Sequence, residues 1–293
     1  MPARVPRLLI YTTEDIKDFG DAVLHVWQEL GGDGECRLGR EIVGQDLPDH
    51  DILLIRFGVP YTSSHYMALK AHVASHGCLC LNEPVTMAWT TNKCRATEYA
   101  GEVMRIAKSG LVTRNTDFAR YLRDFTFPIV MKPKFSDGGK NIFFYKDLDE
   151  ALTYMPDEIC DHRFDSTEWQ VQECVDFASI VRCVYMDGKL VDAVFDPATE
   201  KYKIRLKLWH KSKVWPENGR AKLEEACAKL SKRFNMPILV VDFFVLPDGE
   251  LVFNEINSAT NLRWLRLRSG VQHATLLAKF ALKAWRERES HQE

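Results

Sequence analysis

No apolar run in this chain approaches the ~20 residues that a membrane-spanning helix needs; the most hydrophobic stretch, Met236 to Leu246, is broken at its middle by Asp242. An excess of charge of one sign is missing too. Thirty-nine Lys and Arg against 41 Asp and Glu leave a formal charge of −2, which argues against a surface built to coat nucleic acid or an anionic bilayer. Cysteine is sparse, at eight in 293 residues, too few for a disulfide scaffold, so reduced thiols in a cytoplasmic protein are expected. Cys78 and Cys80 stand on an expected strand with Leu79 between them and are not expected to co-ligate a metal. His65, His72 and His210 stand at no ligand spacing and read as surface or packing residues. GxxxxGK[ST] does not occur, which excludes a Walker-type phosphate loop. The opening segment, Met1 to Asp15, has neither an apolar core nor a small-residue cleavage site, so a secretory leader is not expected. Internal repeats and low-complexity tracts are absent as well.

What remains is ordinary globular material. With 46% hydrophobic and 27% charged residues the chain can bury a sizeable core, and its length suits two domains or a two-lobed unit. The first third alternates strand and helix. Arg7–Tyr11 and Asp51–Arg56 read as buried strands of a parallel sheet. Ile16, Phe19, Val23, Trp27 and Leu30 recur at helical spacing. Ser63 and Ser64 can cap a second helix that stops at Gly77, and Cys78–Leu81 is a third strand. A further helix is expected from Thr91 to Ser109, stopped by Gly110. Beyond it, hairpins dominate: Phe127–Pro133 with Ile142–Tyr145, Ile180–Tyr185 with Lys189–Phe195 around Asp187-Gly188, and Ile238–Val245 with Glu250–Ile256 around Asp248-Gly249. Trp169–Val175 is another strand. Helices are expected over residues 220 to 234 and from Val271 to about Arg286.

Four constellations carry chemistry. Asp242 sits among Val240, Val241, Phe243 and Phe244, where an unpaired carboxylate is costly. Glu255 and Asn257 are two apart on the partner strand and share a face, so two carboxylates and an amide oxygen can form a hard-oxygen cage suited to Mg2+. Lys132 leaves a strand just before the Gly138-Gly139 turn, where a lysine and backbone N–H groups can meet phosphate; read alone, the same residues make a plain hairpin. Lys201, Lys203, Arg205 and Lys207 alternate with Tyr202, Ile204 and Leu206, which on a strand aligns four cations on one face, with Lys211 and Lys213 beyond. Such a row suits a triphosphate or an acidic substrate, or is a solvated strand face. Arg263, Arg266 and Arg268 either bind a substrate carboxylate in a cleft or decorate a surface.

The order of these parts resembles the ATP-grasp superfamily over essentially the whole chain. The matching pieces are Asn92-Lys93, Gly110–Arg114, Lys132-Pro133, the glycine flap Ser136–Asn141, Val171–Val175, the Arg182 strand into Gly188, Val241-Asp242 and Glu255-Ile256-Asn257. Gln172-Glu173, Arg182 and Glu-Ile-Asn look most like the glutathione-synthetase and ribosomal-protein-modification (RimK-like) carboxylate–amine ligases. The resemblance implies an α/β fold: an N-terminal open α/β (pre-ATP-grasp) domain over 1–88, then a two-lobed α+β ATP-grasp unit over 89–293. Its small nucleotide lobe would span about 112–175 and its metal-binding lobe about 176–293.

It also implies ATP and Mg2+, or Mn2+ in its place, as cofactors. Lys93 and Lys132 become ligands on the phosphate and adenine sides of the nucleotide, and Gly138 and Gly139 the flap over the triphosphate. Glu173 and Val175 would offer backbone hydrogen bonds to adenine, and Asp176 would meet the ribose. Asp242, Glu255 and Asn257 become the metal ligands. The implied reaction joins a carboxylate (an amino acid, a peptide or a protein tail) to an amine through an acylphosphate. Asn141 stands where many members have glycine, and the arginine that some branches place before Asp242 is lacking. Arg182 and Arg205 are thus both candidates for the oxyanion role. An ATP-grasp kinase acting on a hydroxyl, or a non-catalytic ATP- or macromolecule-binding module, would share the nucleotide residues. A homodimer is compatible with the sequence; a membrane or nucleic-acid partner is not expected.

Overall fold

The computed structural model describes residues 5–42, 47–56, 63–136, 141–160, 168–197, 213–214, 217–257 and 262–291. Three sheets carry the architecture, each contributed by a successive part of the chain. The first is parallel: β1 (Leu8–Thr12), β2 (Gly34–Leu38), β3 (Ile52–Arg56) and β4 (Leu79–Cys80), in the order β2-β1-β3-β4. β1 and β3 are buried along their whole length, as continuous apolar strands covered on both faces must be. α1 (Lys17–Glu29) packs Phe19, Val23 and Trp27 on the face of Leu8 and Ile10. α2 (Ser63–His76) packs Tyr66 and Leu69 on the face of Leu9 and Tyr11. α2 stops at Gly77, whose φ of +62° gives the left-handed turn that ends a helix.

The single helix expected from Thr91 to Ser109 is shorter than the spacing predicts. α3 (Pro84–Thr90) and α4 (Lys93–Gly101) form, and Ser109 and Gly110 belong instead to β5 (Ser109–Thr113). Between them Ile106 makes a parallel bridge to Phe253, and this sheet contact outcompetes further helical turns.

The second sheet is antiparallel. α5 (Phe118–Tyr121), β6 (Ile129–Pro133), β7 (Phe143–Tyr145), α6 (Leu148–Cys160) and β8 (Glu168–Glu173) complete it, in the strand order β5-β8-β6-β7. It has a core of its own, with Val112, Ile129, Met131, Trp169 and Val171 against Ala151 and Met155 of α6.

The third sheet contains β9 (Ser179–Met186), β10 (Lys189–Pro197), β11 (Lys213–Val214) and, after α7 (Glu217–Phe234), β12 (Ile238–Val245) and β13 (Leu251–Ile256). Its order is β11-β10-β9-β12-β13, and α8 (Leu262–Ser269) and α9 (His273–Ser290) follow. The β9–β10 turn uses Asp187 and Gly188 at φ +54° and +74°, the mirror-image turn that suits strand twist. The first and third sheets share their cores: Leu9, Tyr11 and Leu53 pack with Val181, Val241 and Phe243, while Leu8 and Ile10 pack with Val184 and Val240. Buried Asn82, just past β4, fastens them together. Its Nδ2 donates to the Ile238 carbonyl at 2.8 Å, and its Oδ1 accepts from the Ile238 N–H at 3.2 Å. Among the described residues no helix is long and apolar enough to cross a membrane.

Candidate functional site

β12 lies between β9 and β13, and its register sets up the site. Asp242 faces Glu255 on one side and Arg182 on the other. Three charged residues from three strands therefore stand in one row across the sheet. Just beyond, the β12–β13 pairing slips: Phe243 faces Phe253, leaving Asn254 as an extra residue. A bulge of this kind re-aims the side chain beside it, here Glu255. Arg182 Nε donates to Asp242 Oδ1 and Nη2 to Oδ2, both at 2.6 Å, a two-pronged guanidinium–carboxylate pair. Asn257 also hydrogen-bonds Asp242, while its own N–H donates to the Val240 carbonyl at 2.8 Å.

A second group of side chains closes on this row from the small sheet. Asn92 caps α4, its Oδ1 accepting from the Arg95 N–H at 3.2 Å. Lys93 follows in the first turn; its N–H donates to the Lys134 carbonyl at 3.1 Å, which ties α4 to the end of β6. Lys93 Nζ donates to Glu255 Oε2 at 2.8 Å. Lys132, on β6 and only 6% exposed, donates to Gln172 Oε1 at 3.0 Å. β8 alternates faces: Trp169 and Val171 enter the small core, whereas Gln170 and Gln172 point toward α4 and Lys132. Gln170 Nε2 donates to Thr97 Oγ1 at 3.0 Å and so fixes β8 against α4. Sequence reasoning passed over Gln170 as a positioning residue. The signal available was the period of two, with two amides on the face opposite Trp169 and Val171.

The five charged groups tune one another. Burial pushes the Lys132 ammonium down to about 8, Lys93 adding to the effect. Burial opposes ionisation of Glu255, but the charges of Lys93 and Lys132 outweigh it and hold the carboxyl at about 2. For Asp242 burial raises the value and Arg182 pulls against it. Two carboxylates against three cations leave a surplus of one positive charge, a setting made for an anionic ligand. Gln172 Nε2 is buried with no hydrogen-bond partner, a donor that a ligand acceptor would satisfy. Asp242, Glu255 and Asn257 offer only hard oxygens, the donor set that fits Mg2+.

The remaining expected site residues are spread more widely. Glu173 ends β8, where its N–H donates to the Lys108 carbonyl at 2.9 Å and its Oε1 accepts from the Thr126 N–H at 2.7 Å. Val175 is half-buried and Asp176 exposed, in the segment that joins β8 to β9. Gly138, Gly139 and Arg205 lie outside the described residues, as do Lys201, Lys203, Lys207 and Lys211. Arg266 is exposed on α8 and lines a hollow with Asp18, Phe19 and His273, not the acid row.

The family model described as a RimK-like ATP-grasp domain matches residues 90–280. Solved structures agree on the fold. A D-Ala:D-Ser ligase, VanG, from Enterococcus faecalis superposes with a TM-score of 0.72 at 14% identity, over 96% of this chain and 100% of that one. A RimK domain ATP-grasp protein from Sphaerobacter thermophilus gives 0.68 at 17% identity, over 94% and 99%. The macrocyclase MdnC of Microcystis aeruginosa, bound with the precursor peptide MdnA, gives 0.68 at 14%, again over 94% and 99%. No curated protein matches the chain by sequence.

Proposed function

The chain belongs to the RimK-like ATP-grasp family, and from that premise we propose that this ATP- and Mg2+-using ligase joins a carboxylate to an amine through an acylphosphate. In the first step a carboxylate oxygen of the substrate attacks the γ-phosphorus of ATP, the bond to the β–γ bridging oxygen breaks, and ADP leaves. An amine then adds to the acyl carbon; as the amide forms, phosphate departs and the amine gives up a proton.

The observation that carries this reading is the Glu255–Asp242–Arg182 row with Lys93 and Lys132 converging on it. Lys132 and Lys93 would hold the triphosphate, and Gln172 Nε2 would donate to the nucleotide. Glu173 and Val175 would border the adenine and Asp176 the ribose. Asp242, Glu255 and Asn257 would hold Mg2+, which when bound neutralises charge on the transferring phosphoryl group. Arg182 would stabilise the oxyanion of the second step, alone or with Arg205, which requires it to loosen its fork on Asp242. Gly138 and Gly139 would cover the phosphates and keep water from the acylphosphate. We assign residues 1–88 to an N-terminal domain and 89–293 to the ATP-grasp unit, its lobes meeting near residue 175. The division follows the change from parallel to antiparallel pairing after β4. Amino acids, short peptides and peptides to be macrocyclised all suit the carboxylate.

A screen of carboxylates with ATP and hydroxylamine tests the reaction. The expected result is a hydroxamate and one ADP per turnover for at least one carboxylate. γ-Labelled phosphate found in a stable phosphomonoester, with none released as inorganic phosphate, would sink the ligase in favour of a kinase.

A further inference from the structure

Both β3 and β4 start at the edge of the first sheet opposite Asn82, because the strands are parallel and Ile52 faces Leu79. His50 lies two residues before Ile52 and Cys78 one residue before Leu79, so both emerge on that edge. The Leu79 N–H, donating to the Asp51 carbonyl at 2.8 Å, holds the two strand starts side by side. α2 runs back across the sheet to finish there, and the left-handed turn at Gly77 folds Cys78 under its last turn, next to His72. The fold thus brings together three residues spaced 22 and six apart in sequence. One ligand atom from each of His50, His72 and Cys78 lies within 4.8 Å of the other two.

Their chemistry is that of ligands awaiting an ion. His50 Nδ1 lies 2.7 Å from the Pro48 carbonyl. A carbonyl can only accept, so that nitrogen carries the proton and Nε2 presents a lone pair. Metal-binding histidines are oriented in this way by a backbone carbonyl. His50 Nε2 and His72 Nε2 are both buried and without a hydrogen-bond partner, and His72 as a whole is 8% exposed. Two orphaned imidazole nitrogens beside a buried thiol are costly in an empty apolar site and cost nothing with an ion between them. The rings of His50 and His72 stack at 4.9 Å, and His76 stacks on His72 at 4.1 Å, buttressing the orientation.

We propose that His50, His72 and Cys78 form a zinc site, with water as the fourth ligand, that staples the first residues of β3 and β4 to the end of α2. Mixed nitrogen and sulfur donors disfavour Mg2+ and Ca2+, which take oxygen. Tetrahedral zinc holds its ligand atoms about 3.5 Å apart, so rotation of the three side chains closes the gap. Burial lowers the His50 imidazole and takes His72 down to about 4, so both are neutral, as ligation requires. Burial also raises the Cys78 thiol. On binding, the Sγ–H bond therefore breaks, the Zn–S bond forms, and one proton passes to solvent. The thiolate cancels one charge of the ion; the Asp49 and Asp51 carboxylates lie near the imidazoles, with the Arg7 and Arg288 guanidiniums also in reach of the site. The site is built from the first sheet and α2 and shares no residue with the acid row or its lysines, which makes its role structural. His72 is then a ligand, and not the packing residue that its isolation in the sequence suggests.

The full chain, stripped with a chelator, is titrated with Co2+ alone. We expect one thiolate-bound Co2+ per chain, seen as a sulfur-to-cobalt charge-transfer band that Zn2+ abolishes. Oxygen-ligated Co2+ at Asp242 and Glu255 would give no such band. The band should vanish in Cys78→Ser and persist in Cys80→Ser. Zn2+ affinity should fall at least about 100-fold in His72→Gln. His50→Gln, on a half-buried loop, guards against loss of folding: it should lose the band while its metal-free thermal unfolding matches the wild type. No band in the wild-type chain, or a band that survives in Cys78→Ser, overturns the site.

Discussion

Replacing Asp242 by asparagine removes a carboxylate and also strands a guanidinium. The side chains of Arg182 and Asp242 are 19% and 6% exposed, so the variant leaves a nearly buried charge without its partner. Asp242→Asn should therefore lower stability by about 2–4 kcal/mol and cut ADP formation far more than tenfold, the equivalent of ~1.4 kcal/mol of barrier. Adding Arg182→Met should restore the thermal midpoint and leave activity lost; a double variant no more stable than Asp242→Asn would sink the pairing argument. Lys132 predicts a pH effect. Its ammonium, depressed to about 8, is charged below that pH and gives up its proton above it. Bound triphosphate favours the charged form, so ATP binding must take up a proton once the free site is neutral. Nucleotide affinity is expected to be flat below pH 8 and to weaken by up to about tenfold per unit above it. Lys132→Met should bind ATP weakly at every pH, with the dependence gone; calorimetric Kd values across pH 7 to 9.5 decide the matter.

At the scale of elements, β2 depends on a single glycine. A Cβ on Gly34 would lie 2.2 Å from the Leu8 carbonyl oxygen, which is backbone and cannot swing away. Gly34→Ala should push β2 off β1 and cost about 1–3 kcal/mol in urea denaturation; an unchanged midpoint would show that the edge strand is dispensable. β2 is also a strand that sequence reasoning missed. Gly34–Leu38 is half-buried throughout, as an edge strand is, and its alternation of Glu35 and Arg37 with Cys36 and Leu38 is short and framed by glycines, which read as a turn. α6 was missed for another reason, since Pro156 sits inside it and proline reads as a breaker. The buried parallel strands, the hairpins and the terminal helix were legible because their apolar periodicity is carried by adjacent residues. The acid pair was legible for the same reason, because carboxylates interrupt apolar strands. The partnership of Arg182 with Asp242, 60 residues apart, was not, nor was the meeting of His50, His72 and Cys78. Strand register and helix placement decide those, and both are settled by tertiary packing.

For the whole molecule, Asn82 bears most directly on cooperativity. It satisfies both backbone groups of Ile238 from a position 2% exposed. Asn82→Ala leaves a buried N–H and a buried C=O without partners, about 2–4 kcal/mol of destabilisation in all. The first and third sheets share their cores, so the wild-type chain should melt them together in one calorimetric transition; two resolved transitions in the wild type would contradict that coupling. The small sheet keeps its own core and is free to exchange amide hydrogens as a separate unit. The charged row has a consequence for the order of loading. At rest the chain has already answered its two carboxylates with cations of its own. Arg182 and Lys93 guard them against a bare divalent ion, because surrendering both acids would leave three positive groups facing one another. A triphosphate supplies the anions those groups need. Occupancy of the carboxylates should thus be conditional: the chain ignores Mg2+ offered alone and accepts it only in the company of nucleotide.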